Sequence, residues 1–325
     1  MPSPYTLVSV VMNCRNSAEF LADAIASVYA QSMDQWEIVF FDNQSTDESP
    51  AIAHSFDGRL RYFRSHAPLS LGAARNRALA KARGDYVAFL DCDDLWHPEK
   101  LGLQVEAFQS RGRRAIGLVF TDTVRINSEG EALMSFAHER STPADGDMFA
   151  ALLEDCFMAL SSCMVPRELV SSLGGIDERL SFVEEWDLWL RIARDYDVRR
   201  VPGELTSVRF HDGNTSRDFR AQRVEVLALL KSVSLASAEH ERARRRGLDR
   251  FRLRYSILAV AEANWRQPSA LIRSMLAAVA IGLRRPRISL EMVRRYFRPG
   301  MLRLLSYKYL ARPPGGGRAA SAGPR

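Results

Sequence analysis

Three carboxylates crowd the end of an apolar run in the segment "GDYVAFLDCDDLWHPEKL" (84–101): Asp91, Asp93 and Asp94. Anions this close together cost free energy unless a cation sits among them. Asp91 and Asp93, one residue apart at a strand end, can turn both side chains toward one cleft. Hard oxygen ligands of that kind suit Mg2+ or Mn2+, which complete their shells with water and phosphate oxygens. A solvated turn would explain an isolated D-x-D equally well, and Asp94 fits as the N-cap of a helix over "LWHPEKL". The pair therefore needs company.

Four further groups supply it. "FFDNQSTDES" ends an apolar run in Asp42 and Asn43, which can donate and accept in a plane as a nucleobase edge requires. Ser45 or Thr46 with Glu48 reads as a capping box. "GAARNRAL" places Arg75 one turn into a helix behind a glycine, where a guanidinium and the positive helix start would hold a diphosphate. "VEEWDLWLR" crowds Glu184, Glu185 and Asp187 at the start of a helix whose tryptophans must be core; an acidic start suits the helix dipole, and a rigid, partly desolvated carboxylate also suits a general base. "VRFHDGNTS" carries His211 just beyond a strand, a position open to a structural role as well as to a ligand.

The elements that must position these residues alternate. Buried-type strands are predicted at 7–12, 36–42, 59–65 and 86–90, and helices at 17–32, from 46 onward and at 71–83. Hydrophobic strands alternating with helices indicate an α/β fold: a doubly wound, mostly parallel sheet covered on both faces. Ligands in such folds lie beyond the C-terminal strand ends, here Asn13 to Asn16, Asp42 to Ser45 and Asp91 to Asp94. Past Asp94 the sequence predicts strands in 116–127 and 161–170 and a helix over 184–196.

Taken together and in order, "LVSVVMNCRNSAEF…FFDNQSTDES", "LGAARNRALAKARGDYVAFLDCDDLWHPEKL", "GGIDERLSFVEEWDLWLR" and "VRFHDGNTS" resemble family 2 glycosyltransferases of the GT-A (Rossmann-like) fold, over roughly residues 6 to 216. The resemblance implies metal-dependent, inverting transfer of a sugar from a nucleotide-sugar donor to an acceptor hydroxyl, with Mn2+ or Mg2+ as cofactor. It puts Asp93, Asp91 and His211 at the metal, Arg75 at the pyrophosphate, and Asn13, Arg15, Asp42 and Asn43 around the nucleotide. Glu185 stands where the family usually has the Asp of an acidic pair and takes the role of base, with Glu184 and Asp187 as alternatives. Arg15 replaces the aromatic residue on which many members stack the base; a guanidinium also stacks. A glycan or lipid-linked acceptor and a part in surface polysaccharide or glycolipid assembly are implied in the same way. A nucleotidyltransferase would need a glycine-rich basic loop that "MNCRNSAEF" lacks, and a non-catalytic sugar-nucleotide or glycan-binding protein would not need the acids at 91, 93, 184 and 185.

Charge divides the 325-residue chain. Residues 1–219 hold 22 Lys+Arg and 33 Asp+Glu, net −11; residues 220–325 hold 23 and 6, net +17, giving the overall +6. The expected organisation is a catalytic domain over 1–216, a basic α-helical region over 217–312, and a disordered tail over 313–325 rich in Gly, Pro and Ala. Arg interleaved with apolar residues at helical spacing, with Trp265, Tyr296, Phe297 and Tyr307, suits peripheral contact with an anionic membrane, or packing against the catalytic domain. No base-reading module suggests nucleic acid. The cysteines (Cys14, Cys92, Cys156, Cys163) show no paired spacing and read as reduced thiols. Neither a signal peptide nor an apolar run long enough to span a bilayer is evident, so a cytoplasmic protein, peripheral on the inner face of the cell membrane, is expected.

Overall fold

A computed structural model describes residues 6–110, 113–135, 145–211, 213–214 and 219–262. Its sheet contains β1 (Val8–Cys14), β2 (Trp36–Asp42), β3 (Leu60–Arg64), β4 (Tyr86–Phe89), β5 (Leu95–Trp96), β6 (Ile116–Ile126), β7 (Ala132–Ser135), β8 (Asp145–Gly146), β9 (Cys163–Pro166) and β10 (Asp197–Arg209). The order across the sheet is β3-β2-β1-β4-β9-β6-β10-β5, with β7 on β6 and β8 on β10. β1 is parallel to β2 and β4, and β2 to β3. β9 runs antiparallel to both β4 and β6, so β6 points the same way as β4, and β10 follows β6. Six of the ten strands described thus share one direction, and their C-terminal ends face one edge.

The strands are apolar on both pleat faces because both are covered. Val10, Met12, Ile38, Phe40 and Leu90 pack with Leu21, Ala24 and Ile25 of α1 (Ala18–Tyr29) and Leu101 and Val105 of α4 (Lys100–Gln109). Val11, Val39, Phe41, Val87 and Phe89 point to the other side. There they meet Ala74 and Ala78 of α3 (Leu71–Leu79), Trp186 and Trp189 of α7 (Glu184–Asp195), and the helices that follow. Each buried Val, Leu, Ile, Phe or Met among them contributes roughly 1.5–3 kcal/mol over leaving it in water.

Two capping expectations change. The Ser45/Thr46–Glu48 box does not form at α2 (Ser49–His54), and at α1 the preceding Ser17 makes no side-chain cap either. Asp47 serves both helix starts, accepting from the Ala18 amide through one carboxylate oxygen (3.0 Å) and from the Ser49 amide through the other (3.0 Å). The cap of α1, supplied from 29 residues away, leaves no local signature. Asp94 likewise caps nothing: the chain makes β5 after it, and α4 begins behind Glu99.

The described helices of the basic region dock on the acidic region. α8 (Phe219–Ser232) and α9 (Ala238–Glu262) bury Val226, Leu230, Phe251 and Tyr255 in the larger core cluster. Arg246 of α9 donates to Glu154 of α5 (Phe149–Glu154) from both Nε (2.9 Å) and Nη2 (2.6 Å), and Arg250 lies 3.7 Å from Asp155. At Gly247 a Cβ would strike the Leu153 carbonyl, so this glycine lets the two helices touch. Alanine would gain about 1 kcal/mol of helix propensity but lose about 1–3 kcal/mol to overpacking against rigid backbone. Gly247→Ala is therefore expected to lower stability in urea unfolding; a neutral or stabilised variant would contradict the contact. Trp265, Tyr296, Phe297, Tyr307 and residues 313–325 lie outside the described residues. No described helix is long and apolar enough to cross a membrane.

One buried cation stands apart from the site. Lys100 is fully buried, donating to Gln104 Oε1 (2.7 Å) with its ammonium 3.9 Å from the centre of the Trp96 ring. Burial pushes its pKa down to about 7. A lowered folded value means the charged form costs stability, a cost absent well above the ordinary 10.5 and growing as pH falls toward 7. Lys100→Met should accordingly improve relative to the parent protein between pH 10 and pH 7, measured by denaturant unfolding; a pH-independent difference would refute this.

Candidate active site

The carboxylates that end β4 are held apart by different partners. Asp94 is buried: it accepts from Ser161 Oγ (2.5 Å) and from the Arg209 amide (2.9 Å), so it fastens the loop to β10 and to the turn before β9. Ser161 Oγ in turn accepts from the Asp91 amide (3.0 Å), and Arg209 Nε donates to the Asp93 carbonyl (3.0 Å). With its backbone fixed, the loop presents Asp91 and Asp93. Asp93 Oδ2 lies 2.9 Å from His211 Nε2 and accepts from Asn214 Nδ2 (3.0 Å). The Gly213 amide donates to His211 Nδ1 (3.2 Å), which leaves Nε2 as the protonated nitrogen facing Asp93.

Arg75 joins the two acidic clusters. Its side chain is only 7% exposed, one Nη pairs with Glu184 Oε1, and the other lies 3.3 Å from Asp91 Oδ1. Burial alone would drive the proton off, but Asp91, Glu184 and Glu185 outweigh it and hold the guanidinium above its ordinary value. α3 is set for this by its Ser70 N-cap, whose Oγ accepts from the Ala73 amide, and by Gly72, which lets the 176–178 loop approach. Glu184 is buried, and its second oxygen has no hydrogen-bond partner.

Glu185, the next residue, is partly buried, and its pKa is pushed up to about 8, first by desolvation and then by the neighbouring Glu184 charge. Asp187 points elsewhere, accepting from Arg191 Nε (2.8 Å) one turn on. Glu184 and Glu185, together with Arg75 and Asp91, line a cavity of about 340 Å3 that Asp187 does not reach.

At the ends of β1 and β2 the predicted residues are placed differently. Asp42 is fully buried, its carboxylate taken by the Ser45 amide (2.7 Å), Tyr62 Oη (2.6 Å) and Arg64 Nη1 (2.8 Å). Asn43 pins the following loop, donating to the Leu69 carbonyl and accepting from the Leu69 amide, both at 2.9 Å. Asn13 Nδ2 is buried without a partner, and Arg15 is exposed. The fold thus brings Arg75, Asp91, Asp93, His211, Glu184 and Glu185 to one edge of the sheet. Sequence reasoning missed Ser161, Arg209 and Asn214, which hold the acids in place; Asn214 carried a faint signal in "HDGN".

Among the described residues no three His, Cys, Asp or Glu side chains are arranged as a ready metal cage. Asp91, 44% exposed, and Asp93 nonetheless fit a hard divalent ion that keeps water and phosphate ligands, since such ions need only one or two carboxylates; His211 would join them by giving up its Nε2 proton and turning that nitrogen from Asp93 to the metal.

The comparisons say which family builds such a sheet, with acids at its strand ends and an acidic helix start across a cleft. The sequence model described as "Glycosyl transferase family 2" matches residues 9–171, half of the chain. The chain belongs to that family. It is 25% identical over 229 residues to an uncharacterized glycosyltransferase of Rickettsia typhi, covering 69% of this chain and 70% of that one. Three further rickettsial relatives are matched over only 35%, 39% and 40% of their length. It is 26% identical over 198 residues to the Escherichia coli UDP-Glc:alpha-D-GlcNAc-diphosphoundecaprenol beta-1,3-glucosyltransferase WfgD, covering 60% of this chain and 73% of that one. The fold is shared with Staphylococcus aureus TarS in complex with UDP-GlcNAc (TM-score 0.62, 14% identity, 93% of this chain and 89% of that one). It is shared also with the mannosyltransferase PcManGT of Pyrobaculum calidifontis in complex with GDP-Man and Mn2+ (TM-score 0.60, 15% identity, 95% and 86%).

Proposed function

We propose that this protein transfers a glycosyl group from a nucleotide-sugar donor to an acceptor hydroxyl with inversion, in the assembly of a surface polysaccharide or glycolipid. The observation that carries this reading is Arg75, which ties the β4-end acids to the acids of α7 across one cavity. The diphosphate lies at Asp91, Asp93 and Arg75, and the nucleotide extends over the ends of β1 and β2. There the unpartnered Asn13 Nδ2 can donate to the base, exposed Arg15 can stack on it, and Asp42 and Asn43 shape the loop beneath it. Asp91, Asp93 and His211 would hold Mn2+ or Mg2+, which, when bound, neutralises charge developing on the leaving diphosphate. Arg75 adds a fixed cation to that charge.

Glu185 accepts the proton of the attacking hydroxyl. The hydroxyl oxygen forms the new bond to the anomeric carbon as the bond to the diphosphate oxygen breaks, and a single displacement inverts that centre. Glu184, locked to Arg75, keeps α7 in register with α3; Asp187, turned to Arg191, keeps the helix itself in place. The name of the WfgD relative, a UDP-Glc glucosyltransferase acting on alpha-D-GlcNAc-diphosphoundecaprenol, supports nucleotide-sugar chemistry on a lipid-linked acceptor. The basic C-terminal region suits peripheral contact with an anionic membrane surface on the cytoplasmic side. Hydrolysis of a panel of nucleotide sugars in Mn2+ tests the reading: one donor is expected to be turned over, and release of diphosphate from none would refute it.

A further inference from the structure

Two of the four cysteines meet beside the acids that end β4. β1 pairs with β4 in parallel from Val8↔Tyr86 to Val11↔Phe89, and the Leu90 amide carries the pairing on by donating to the Val11 carbonyl (3.1 Å). Three residues beyond Val11 and Phe89 stand Cys14, the last residue of β1, and Cys92, the residue between Asp91 and Asp93. Both are buried in the core cluster on the α1 side of the sheet, and the two thiols lie within hydrogen-bond reach of each other. Cys92 Sγ also donates to the Asn13 carbonyl (3.3 Å), and Cys14 Sγ lies 3.7 Å from Ser45 Oγ. Neighbouring strands run about 4.7–4.9 Å apart, and a disulfide spans about 4.4–6.8 Å between Cα atoms, so strands in this register stand at a bridging distance. β4 ends at Phe89, which puts Cys92 on the loop and frees it from the geometry of the ladder.

We propose that Cys14 and Cys92 are an oxidisable pair, and that a peroxide joins them in a disulfide that disables the diphosphate site beside them. This rests on the reading of Asp91 and Asp93 as the acids that hold the metal and the diphosphate. Cys14 reacts first: the neighbouring Cys92 thiol holds its pKa down to about 7, and the thiolate is the nucleophilic form. Its sulfur attacks one peroxide oxygen, the O–O bond breaks, and the departing hydroxide takes up a proton to become water, leaving a sulfenic acid on Cys14. The Cys92 sulfur then bonds to the Cys14 sulfur, and its proton leaves with the sulfenic hydroxyl as a second water. Two thiols are oxidised by two electrons in all, and one peroxide is reduced to two waters. A disulfide bond is shorter than any contact between free thiols, so Cys92 must leave the Asn13 carbonyl and draw the loop toward β1. Asp91 and Asp93, one residue to either side, are displaced with it, while Asp94 stays fastened to Ser161 and Arg209.

The test reads the link and its effect separately. The reduced full chain is treated with hydrogen peroxide, the peroxide is removed, thiols are counted in denaturant, and linked peptides are mapped by mass spectrometry. Free thiols are expected to fall from four to two, with the Cys14 and Cys92 peptides joined. Titration calorimetry with UDP, GDP, CDP and ADP in Mn2+ then compares the two states. The diphosphate that the reduced chain binds is expected to bind about tenfold or more weakly after oxidation, a gap of about 1.4 kcal/mol, and to recover with dithiothreitol. Cys14→Ser and Cys92→Ala are each expected to bind as the reduced parent does and to keep that affinity in peroxide, with thermal melting as the check on folding. Four surviving thiols, a link made through Cys156 or Cys163 instead, or a Cys14–Cys92 link that leaves binding unchanged would overturn the inference. A reduced chain that binds none of the four diphosphates refutes the transferase reading alone, because the thiol count and the peptide map need no ligand.

Discussion

Glu185→Gln is expected to lose about 10²–10⁴-fold in turnover while keeping donor affinity, because a positioned base contributes about that much and the proposed donor contacts lie at Arg75 and the β4 end. The same substitution should stabilise the protein at alkaline pH. The carboxyl of Glu185 is raised from 4.5 to about 8, so the neutral form is the one the fold prefers. Stability contributed by the proton is fully present below 4.5 and is lost as pH rises through about 8. Glutamine, always neutral, does not suffer that loss. Turnover in the parent protein is expected to rise with pH until about 8 and then level off, since the base must be deprotonated to act. Two measurements check this: steady-state rates across pH 6 to 9 for the parent, and urea unfolding of both proteins at pH 6 and pH 9. A variant of near-normal rate, or one whose relative stability does not improve with pH, would show that Glu185 is not the base in the environment described.

The second large effect is structural and catalytic at once. Arg75→Met removes the cation between Asp91 and the buried Glu184, and breaking a buried pair by removing one partner costs about 3–5 kcal/mol. The loss has a pH signature. Without Arg75 the Glu184 carboxyl rises further, so its proton is retained at low pH and its burial becomes costly as pH increases. Arg75→Met should therefore be damaged more at pH 8 than at pH 5. Pairing it with Glu184→Gln should recover much of the stability, because no isolated charge remains, yet none of the activity, because the diphosphate still lacks its guanidinium. Denaturant unfolding of the single and double variants reads the first part, and donor turnover reads the second. Full activity in the double variant would separate Arg75 from the chemistry.

What the sequence made legible follows from physics that acts locally. The parallel strands β1 to β4 could be placed because both their faces are buried and their residues are apolar without alternation. The acids at 91 and 93 stood out because a core strand ran directly into them, and Arg75 stood out behind a helix start. Asp94 reads as a cap from its neighbours in sequence alone; its partners, Ser161 and Arg209, arrive from 67 and 115 residues away. Sequence distance also hid Asp47 as the cap of α1, 29 residues away, and Ser161 as the brace beneath Asp91. Asp42 was legible as a strand-end acid, but the Tyr62 and Arg64 that occupy its carboxylate come from the neighbouring strand. The choice among Glu184, Glu185 and Asp187 likewise could not be made from spacing, since positions 184, 185 and 187 of one helix point in three directions. The structure turns one to Arg75, one into the cavity and one to Arg191. The charge asymmetry of the chain was visible, but its use in docking α9 on the acids of α5 required the fold.

The central claim is that the acids closing β4 work on a diphosphate through a divalent ion. Titration calorimetry of UDP, GDP, CDP and ADP against the full chain, with Mn2+ and with chelator, tests it most directly. At least one diphosphate is predicted to bind with Mn2+ present and to weaken about tenfold or more, about 1.4 kcal/mol, when the metal is chelated or Asp93 is replaced by Asn. Binding of equal strength with chelator and in Asp93→Asn would contradict the account.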